Sequence, residues 1–416
     1  MRISMISEHA SPLAALGGVD AGGQNVHVAA LSGALARRGH RVTVYTRRDA
    51  PDLPARVRMQ PGLDVVHVDA GPAAYVPKDD LLPFMGALAD GVAEDWAAGP
   101  PDVVHAHFWM SGIAALDAAR RRPAGSGVPV VQTFHALGTV KRRHQGADDT
   151  SPPERRFLEP SLGRAADRII ATCSDEVFEL KAMGVDVRTV SIAPCGVDLE
   201  LFSSEGPADA KNRAHRVLSV GRLVPRKGVD LVIRSLPHLK DAGFGDVELL
   251  IVGGSAAGGP DPEARRLLEL ARSLGVADQV ELRGQVPRDA MPGIFRSADA
   301  VVCTPWYEPF GIVPLEAMAC GIPVVAAAVG GLTDSVVDRG TGLHVPPRNP
   351  EAIAGALAAL LASPRLRTKL GRAGERRARA RYSWNRVAEE TEKAYRLAIA
   401  GTADAASLEP MEGAAL

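Results

Sequence analysis

Short β-branched runs alternate with longer amphipathic stretches along the chain. Residues 2–7 (RISMIS) read as a strand, followed by a glycine-rich loop and a helix over 24–38 that Gly39 ends. Further strands are predicted at 41–47 (RVTVYTR), 64–69 (DVVHVD), 102–107 (DVVHAH), 129–135 (PVVQTFH) and 168–173 (RIIATC). The pattern then restarts at 215–223 (HRVLSVGRL) and continues at 247–254, 279–284, 300–305 and 323–331. Strands alternating with helical stretches predict a parallel sheet covered by helices on both faces. Two such series predict an α/β chain of two doubly wound parallel-sheet domains in tandem, with a cleft expected between them. The first domain is expected over 1–202 and the second over 215–382. The polar segment 203–214, which contains Gly and Pro, reads as a linker. An amphipathic helix over 383–400 is expected to cross back to the first domain. Residues 401–416, small and polar without a period, read as a disordered tail.

A length of 416 residues suits two or three domains with ample core. The net charge of −1 gives no global reason to expect a nucleic-acid partner. No window approaches the apolar length of a membrane span, and the N-terminus lacks the apolar core of a signal peptide. The four cysteines, Cys173, Cys195, Cys303 and Cys320, form no C-x-x-C pair. Metal and redox motifs are therefore not expected, and a reducing, cytoplasmic compartment is. The basic run 365–381 lacks a strong apolar face with aromatics and reads as a solvated helix face, not a membrane or nucleic-acid patch.

Ligands of open α/β folds bind where loops leave the carboxyl ends of the strands. Four of these loops carry unusual chemistry. In GGVDAGGQN (17–25), Gly22 and Gly23 let backbone approach a ligand just before a helix start, where N–H groups face an anion. The loop is not the G-x-G-x-x-G fingerprint, so a nicotinamide cofactor is not expected. In SVGRLVPRKGVD (219–230), Arg222 and Lys227 suit a diphosphate. Cations at a helix start oppose the helix dipole, which weakens a purely structural reading. In WYEPFGIVPLEAMACGIPVVA (306–326), Pro309, Gly311 and Pro314 deny a continuous helix from Glu308. Pro314 suits a first helical position and Gly321 the position past the end. Glu308 is then expected on a loop and Glu316 in the first turn. The amides of Phe310, Gly311, Ile312 and Val313 would face phosphate and sugar hydroxyls. Glu316 would accept from a ribose, and Glu308 would face the hydroxyls of another polar group. A glycosidase-like acid and nucleophile pair is the alternative, disfavoured by the phosphate-binding features around it. Finally, His105, His107 and His135 end two strands. Metal binding is one reading, but no carboxylate completes a ligand set. His135 is read as a hydrogen-bonding site residue, and His105 or His107 as a buried structural histidine.

Taken together, DAGGQN, HAHFW, TFHALG, GVDLELF, GRLVPRKG and YEPFGIVPLEAMACGIPVV resemble the family 4 retaining glycosyltransferases of the two-Rossmann-domain GT-B fold, over residues 1–400. The two glutamates eight apart, joined to the G-R-x4-K-G loop, make the resemblance specific. The stretches YVPKDDLLPF and TFHALGTVKRRHQGADDTSPPERRFLEPSLGRAADRIIATCSDE are most similar to the branch holding the inositol-phosphate N-acetylglucosaminyltransferase of the mycothiol pathway and the sucrose-phosphate synthases. The resemblance implies that Arg222 and Lys227 hold the donor diphosphate and Glu316 the nucleotide ribose. It implies that Glu308, with the Phe310–Gly311 backbone, contacts the transferred sugar. Gly23 would approach the diphosphate, His135 would lie beside the reacting carbon, and the base would rest near Arg283–Val286. An acceptor phosphate would be held by Lys78 and Arg155. The branch's tyrosine and threonine at the acceptor are replaced by Phe108 and Ala136, while Asn25 matches.

The expected protein is a retaining glycosyltransferase that moves a hexose or N-acetylhexosamine from a nucleotide-diphosphate sugar, such as a UDP-sugar, to a small hydroxyl acceptor, with both a phosphorylated and an unphosphorylated acceptor left open. Alternatives are a sucrose-phosphate-synthase-like enzyme, a lipid or secondary-metabolite glycosyltransferase, and a non-catalytic nucleotide-sugar-binding module. No cofactor and no metal are expected beyond the donor itself. The expected partners are small molecules, with no nucleic acid and no peripheral membrane contact; a homodimer is admitted.

Overall fold

The structure, a computed structural model, describes residues 1–14, 22–121, 127–254, 261–309 and 311–407, with 403–407 as backbone only. The chain divides into two compact units, Met1–Pro194 with Asn385–Leu416, and Cys195–Trp384. Among the described residues, no helix is long and apolar enough to cross a membrane.

The first unit runs β1 (Arg2–Ile6), α1 (Gly23–Arg37), β2 (Arg41–Arg47), β3 (Arg56–Gln60), β4 (Leu63–Val68), α2 (Met85–Ala97) and β5 (Val103–His107). It continues with α3 (Trp109–Arg120), β6 (Val130–Thr133), α4 (Gly138–Gln145), α5 (Arg155–Ala165), β7 (Arg168–Ala171), α6 (Ser174–Ala182) and β8 (Val190–Ile192). Among the described residues its sheet has the order β3-β4-β2-β1-β5-β6-β7-β8. Every pair is parallel except β3 with β4. β5 is buried at every position, as a strand covered on both faces must be. The antiparallel edge strand β3 was not predicted. Its sequence RVRMQ alternates polar and apolar residues, but with only Val57 and Met59 apolar and most of the strand exposed, the signal is short and weak. β8, three residues at the other edge, is too short to register as a pattern.

The second unit runs β9 (His215–Val220), α7 (Val229–Asp241), β10 (Val247–Val252), α8 (Pro262–Ser273), β11 (Val280–Gly284), α9 (Met291–Ser297) and β12 (Ala300–Cys303). There follow α10 (Ile312–Ala319), β13 (Val324–Ala327), α11 (Leu332–Ser335), β14 (Gly342–Val345), α12 (Pro350–Ala362) and α13 (Pro364–Arg381), after which the chain runs into α14 (Trp384–Ser407), all but the first residue of which belongs to the first unit. Its parallel sheet has the order β11-β10-β9-β12-β13-β14. Alternate residues serve two cores. Val217, Leu249, Ile251 and Val302 pack on one face, and Leu218, Leu250, Val252 and Val301 on the other. Each such side chain contributes about 1.5–3 kcal/mol by leaving water. The order of the strands reverses between β9 and β12, and such a reversal opens a crevice at the carboxyl ends of the strands. In the first unit the corresponding reversal lies between β1 and β5.

Two boundaries differ from expectation, the start of the second unit and the end of the last helix. The second unit begins at Cys195, and residues 203–214, expected as a linker, belong to it. Most of these residues are exposed, but several of their polar groups are bonded to the unit. Arg296 donates to the carbonyls of Ser203 (3.1 Å) and Pro207 (2.8 Å), and Lys211 pairs with Asp299 at 2.7 Å. From Asn385 onward α14 belongs to the first unit. Its Glu392 meets Arg38 and His40, and its Tyr395 meets His105. The helix continues past 400 to Ser407, and the rest of the expected tail, 408–416, lies outside the described residues. The basic run is α13, which buries Leu370, Gly371, Gly374 and Ala378; Arg365, Arg372, Arg376, Arg379 and Arg381 are exposed, whereas half-buried Arg367 donates to the carbonyls of Leu360 and Leu361, and half-buried Arg377 to those of Asp334 and Ser335.

Candidate functional site

In the second unit the loops after β9 and β12 diverge at the strand reversal and are then stitched together. Gly228 caps α7 with φ of +68°, and a Cβ there would fall 2.1 Å from the carbonyl oxygen of Thr304. The Thr304 hydroxyl donates to the Gly228 carbonyl at 3.1 Å, and the Trp306 amide donates to the Arg226 carbonyl at 2.8 Å. This brings Lys227 against Glu308, and their side chains form an ion pair with only 23% and 14% exposure. Arg222 is exposed on the same loop as Lys227. A third loop, after β13, supports the pair from behind: the Gly331 amide donates to the Glu308 carbonyl at 2.8 Å.

Helix α10 begins at Ile312, with Gly311 as its cap at φ of +73°. Pro314 is therefore the third helical residue rather than the first, a position where its missing N–H leaves no intrahelical bond unmade. Glu316 consequently sits in the second turn, not the first. Gly321, at φ of +74°, ends the helix where expected. Its amide donates to Met318 and that of Ile322 to Ala317, each at 2.9 Å, the paired bonds of a glycine-terminated helix. The amides of Ile312 and Val313 lie in the first turn, which no intrahelical carbonyl reaches. Phe310 lies outside the described residues.

Glu316 is buried, and its Oε1 lies 3.1 Å from Nη1 of Arg288. Burial pushes the carboxyl up to about 7, against the opposing pull of Arg288. Sequence reading missed Arg288. It follows the carboxyl end of β11 in a V-P-R stretch that carries no glycine, period or paired charge to mark it. The side chain of Arg283 turns away to Glu281 and Asp209, each at 2.9 Å. The adjoining backbone is held by the Gly253 amide on the Gly284 carbonyl at 2.9 Å, and Val286 packs on the core.

In the first unit Gly22 caps α1 and Gly23 is its first residue; 15–21 of the preceding loop lie outside the described residues. Asn25 accepts from the Gly22 amide at 3.0 Å and donates to the Ser11 carbonyl at 3.1 Å, so it organises this helix start. Glu8, also missed, is buried beside His9 (2.8 Å) and the Ser111 hydroxyl.

At the reversal between β1 and β5, four imidazoles gather. His107 and His135 stack with centroids 5.1 Å apart, His105 and His107 lie at 4.1 Å, and His27 sits edge-on to His135 at 5.1 Å. Burial lowers all four: His27 to about 4, His105 to about 3, and His107 and His135 well below the ordinary value. All are therefore neutral near pH 7. His105 is the structural member, bonded to Tyr395 (2.8 Å) and Thr133 (2.9 Å). Among the described residues no group of three or more His, Cys, Asp or Glu has the arrangement to hold a metal ion. Two residues here have positive φ, Phe108 at +82° and His135 at +61°. Non-glycine residues hold that conformation only where their surroundings over-determine it, as at ligand sites.

Arg155 is 2% exposed and already matched. It pairs with Glu159 at 2.8 Å and donates to the Ala136 carbonyl at 2.5 Å. Its guanidinium lies over the rings of Phe108 (5.1 Å) and Trp109 (5.6 Å). Phe108, Ala136 and Arg155 are thus one cluster. Lys78 is half-buried at the start of a single helical turn. The next residue, Asp79, faces Lys141 at 3.6 Å, and Lys141 shares the Ser151 hydroxyl with Arg155.

Residues 21–201 match the family model of Glycosyltransferase Family 4, and residues 206–377 that of the glycosyl transferases group 1. The chain is 38% identical over 412 residues to D-inositol 3-phosphate glycosyltransferase of Nocardiopsis dassonvillei, covering 96% of this chain and 95% of that one. It is 40% identical over 417 residues to the enzyme of that name from Kribbella flavida, covering 95% and 96%. Among solved structures it resembles a sucrose-phosphate synthase from Thermosynechococcus elongatus, with a TM-score of 0.86 and 30% identity over 96% of this chain and 99% of that one. HepE of Anabaena, in complex with UDP and glucose, shares the fold at a TM-score of 0.70 and 19% identity over 94% and 98% of the two chains. Because these matches run through both units and over nearly the whole length, the chain belongs to the family 4 glycosyltransferases of the GT-B fold.

Proposed function

We propose that this glycosyltransferase takes a nucleotide-diphosphate sugar as donor and a small phosphorylated polyol as acceptor, and transfers the sugar with retention. The observation that carries the donor half is the Lys227–Glu308 pair at the strand reversal of the second unit, beside the first turn of α10. The bond broken joins the anomeric carbon to a diphosphate oxygen. The bond formed joins the acceptor hydroxyl oxygen to that carbon on the same face, and the hydroxyl proton passes to the departing phosphate. Charge grows negative on the leaving oxygens. Arg222, Lys227 and the α10 amides stabilise it there without reorganising at the moment of reaction. Glu308 binds hydroxyls of the sugar and Glu316 those of the ribose. The Gly284–Val286 backbone takes the base.

For the acceptor, the support is the naming of the 37–40% identical relatives as D-inositol 3-phosphate glycosyltransferases, together with Lys78 and the Arg155 cluster. Arg155 is neutralised by Glu159, so the added charge of a phosphate falls chiefly to Lys78. Phe108 and Ala136 offer no hydroxyl to it. The likeness to sucrose-phosphate synthase favours a sugar phosphate as the second reading. With cations in place of a divalent ion, turnover is expected to survive chelation. The four cysteines are all free, which suits a reducing cytoplasm. A homodimer is tested by sedimentation. The deciding experiment is nucleotide release from UDP-, GDP- and ADP-sugars with D-inositol 3-phosphate, fructose 6-phosphate and their dephosphorylated forms. Release that ignores the acceptor's phosphate would sink the acceptor half, and no release from any donor would sink the whole.

A further inference from the structure

The loop that carries Lys78 leaves β4 after Val68 and enters α2 at Met85, and little of it is packed. Across residues 71–84 only Leu81 is buried, and Pro72, Ala73, Ala74, Tyr75 and Pro77 are exposed. Its ends nevertheless meet. Gly71 has φ of +79°, and a Cβ on it would fall 2.5 Å from the Phe84 ring. A compact loop with touching ends keeps its shape through what its own groups are bonded to.

Here that partner is Arg47. It is the last residue of β2 and stands opposite Val68, the last of β4. Its amide donates to the Glu8 carbonyl at 3.2 Å, and the Arg48 amide donates to the Val68 carbonyl at 2.8 Å, so its backbone is fixed from both sides. The residue is only 4% exposed. Its Nη1 donates to the Pro72 carbonyl at 2.5 Å and to that of Arg48 at 3.1 Å, and its Nη2 donates to the Ala74 carbonyl at 2.5 Å. A planar fork suits two carbonyls side by side, where an ammonium would serve as a single point. Among the described residues no carboxylate forms an ion pair with Arg47; the acid whose field reaches it is Asp49. A buried cation held by carbonyls alone costs stability, so packing of the loop does not explain it. Beyond Lys78 the loop is tied a second time. Asp79 accepts from the Thr150 hydroxyl at 2.5 Å and faces Lys141 at 3.6 Å, on the stretch of chain that leads to Arg155. Lys78 thus stands between a clamp at Ala74 and a tie at Asp79.

We propose that Arg47 is a positioning residue for the acceptor: its buried guanidinium clamps the Pro72 and Ala74 carbonyls and so holds Lys78 where it receives the acceptor's phosphate. The proposal rests on the reading of Lys78 as the phosphate contact, and its test separates the two. Hydrogen exchange of the full-length protein over 71–84, where the Ala74, Asp80, Leu81 and Phe84 amides are hydrogen-bonded, reports the clamp without turnover. Arg47→Met is expected to speed exchange there at least about tenfold. With UDP-N-acetylglucosamine as donor, the same variant should raise the KM for D-inositol 3-phosphate at least about tenfold and leave the donor KM within about twofold. Arg47→Met combined with Lys78→Ala should be no worse than Lys78→Ala alone, because Arg47 acts through Lys78. Arg47→Lys keeps the charge but brings one nitrogen to two carbonyls. It should show the same pattern more weakly, and it carries the test if the methionine variant does not fold. Unchanged exchange over 71–84 overturns the proposal. So does a double variant whose losses multiply, since Arg47 would then act apart from Lys78. If exchange rises as expected while Lys78→Ala leaves the KM for D-inositol 3-phosphate unaltered, the clamp stands and the phosphate-contact reading of Lys78 falls.

Discussion

Replacing Glu316 with glutamine keeps the shape of the side chain and abolishes its titration. In the wild type burial raises this carboxyl from 4.5 to about 7, so the folded protein holds the proton more tightly than the unfolded chain. A group of this kind contributes stability that is fully present below its unfolded pKa and lost as pH rises through its folded one. At about 1.4 kcal/mol per pH unit, the shift is worth about 3 kcal/mol once both states are ionised. Glutamine carries no such dependence. The stability of Glu316→Gln relative to wild type should therefore rise by about 2 to 3 kcal/mol between about pH 5 and about pH 8. Arg288 does not become a stranded buried charge in the variant, because its side chain is 32% exposed and keeps water as a partner. Urea denaturation of both proteins at the two pH values measures the difference. Calorimetric binding of UDP should move the other way. The variant loses about 1.5–3 kcal/mol of affinity at the higher pH, the scale of hydrogen bonds to a charged group. Wild-type affinity should climb as pH passes about 7, whereas that of the variant stays flat. A relative stability that falls between about pH 5 and about pH 8 would refute the reasoning, because Arg288 would then outweigh burial at this carboxyl.

Three further outcomes follow from the same geometry. Arg222→Ala and Lys227→Ala should each lower turnover by at least about a hundredfold while leaving thermal unfolding close to wild type, and near-normal rates in either would remove the diphosphate assignment. Lys78→Ala should erase any preference for a phosphorylated over an unphosphorylated acceptor in paired assays, since Arg155 is already neutralised by Glu159; a surviving preference would place the phosphate elsewhere. Gly228→Ala should cost at least about 2 kcal/mol in urea unfolding, because a left-handed backbone and a Cβ 2.1 Å from the Thr304 carbonyl both oppose it, and wild-type stability would contradict the stitched-loop description.

The parts of this protein legible in its sequence are those set by neighbours within a few residues. β2 occupies the predicted 41–47, α1 starts one residue from its prediction, and Gly321 ends α10 where a glycine past a helix must. Runs of β-branched residues between helical stretches carried the two parallel sheets, because a strand covered on both faces has to be apolar throughout. Arg222, Lys227, Glu308 and Glu316 were visible as unusual residues on strand-end loops. Arg155 and Glu159 stand four apart, a spacing readable as a helix pair, but nothing local shows that the pair is buried against two aromatic rings. The start of α10 at Ile312, and with it the turn that holds Glu316, depended on Gly311 adopting the left-handed conformation, which no periodicity encodes. Residues 203–214 looked like a linker because they are polar, and only the fold brought Asp299 and Arg296 to them. Lys227 meets Glu308 across 81 positions and His107 meets His135 across 28. Such meetings are decided by strand order. A parallel sheet whose sequence order reverses in the middle sets side by side the ends of strands that the chain keeps far apart, and a burial as deep as that of Glu316 or His135 exists only once both faces of that sheet are covered.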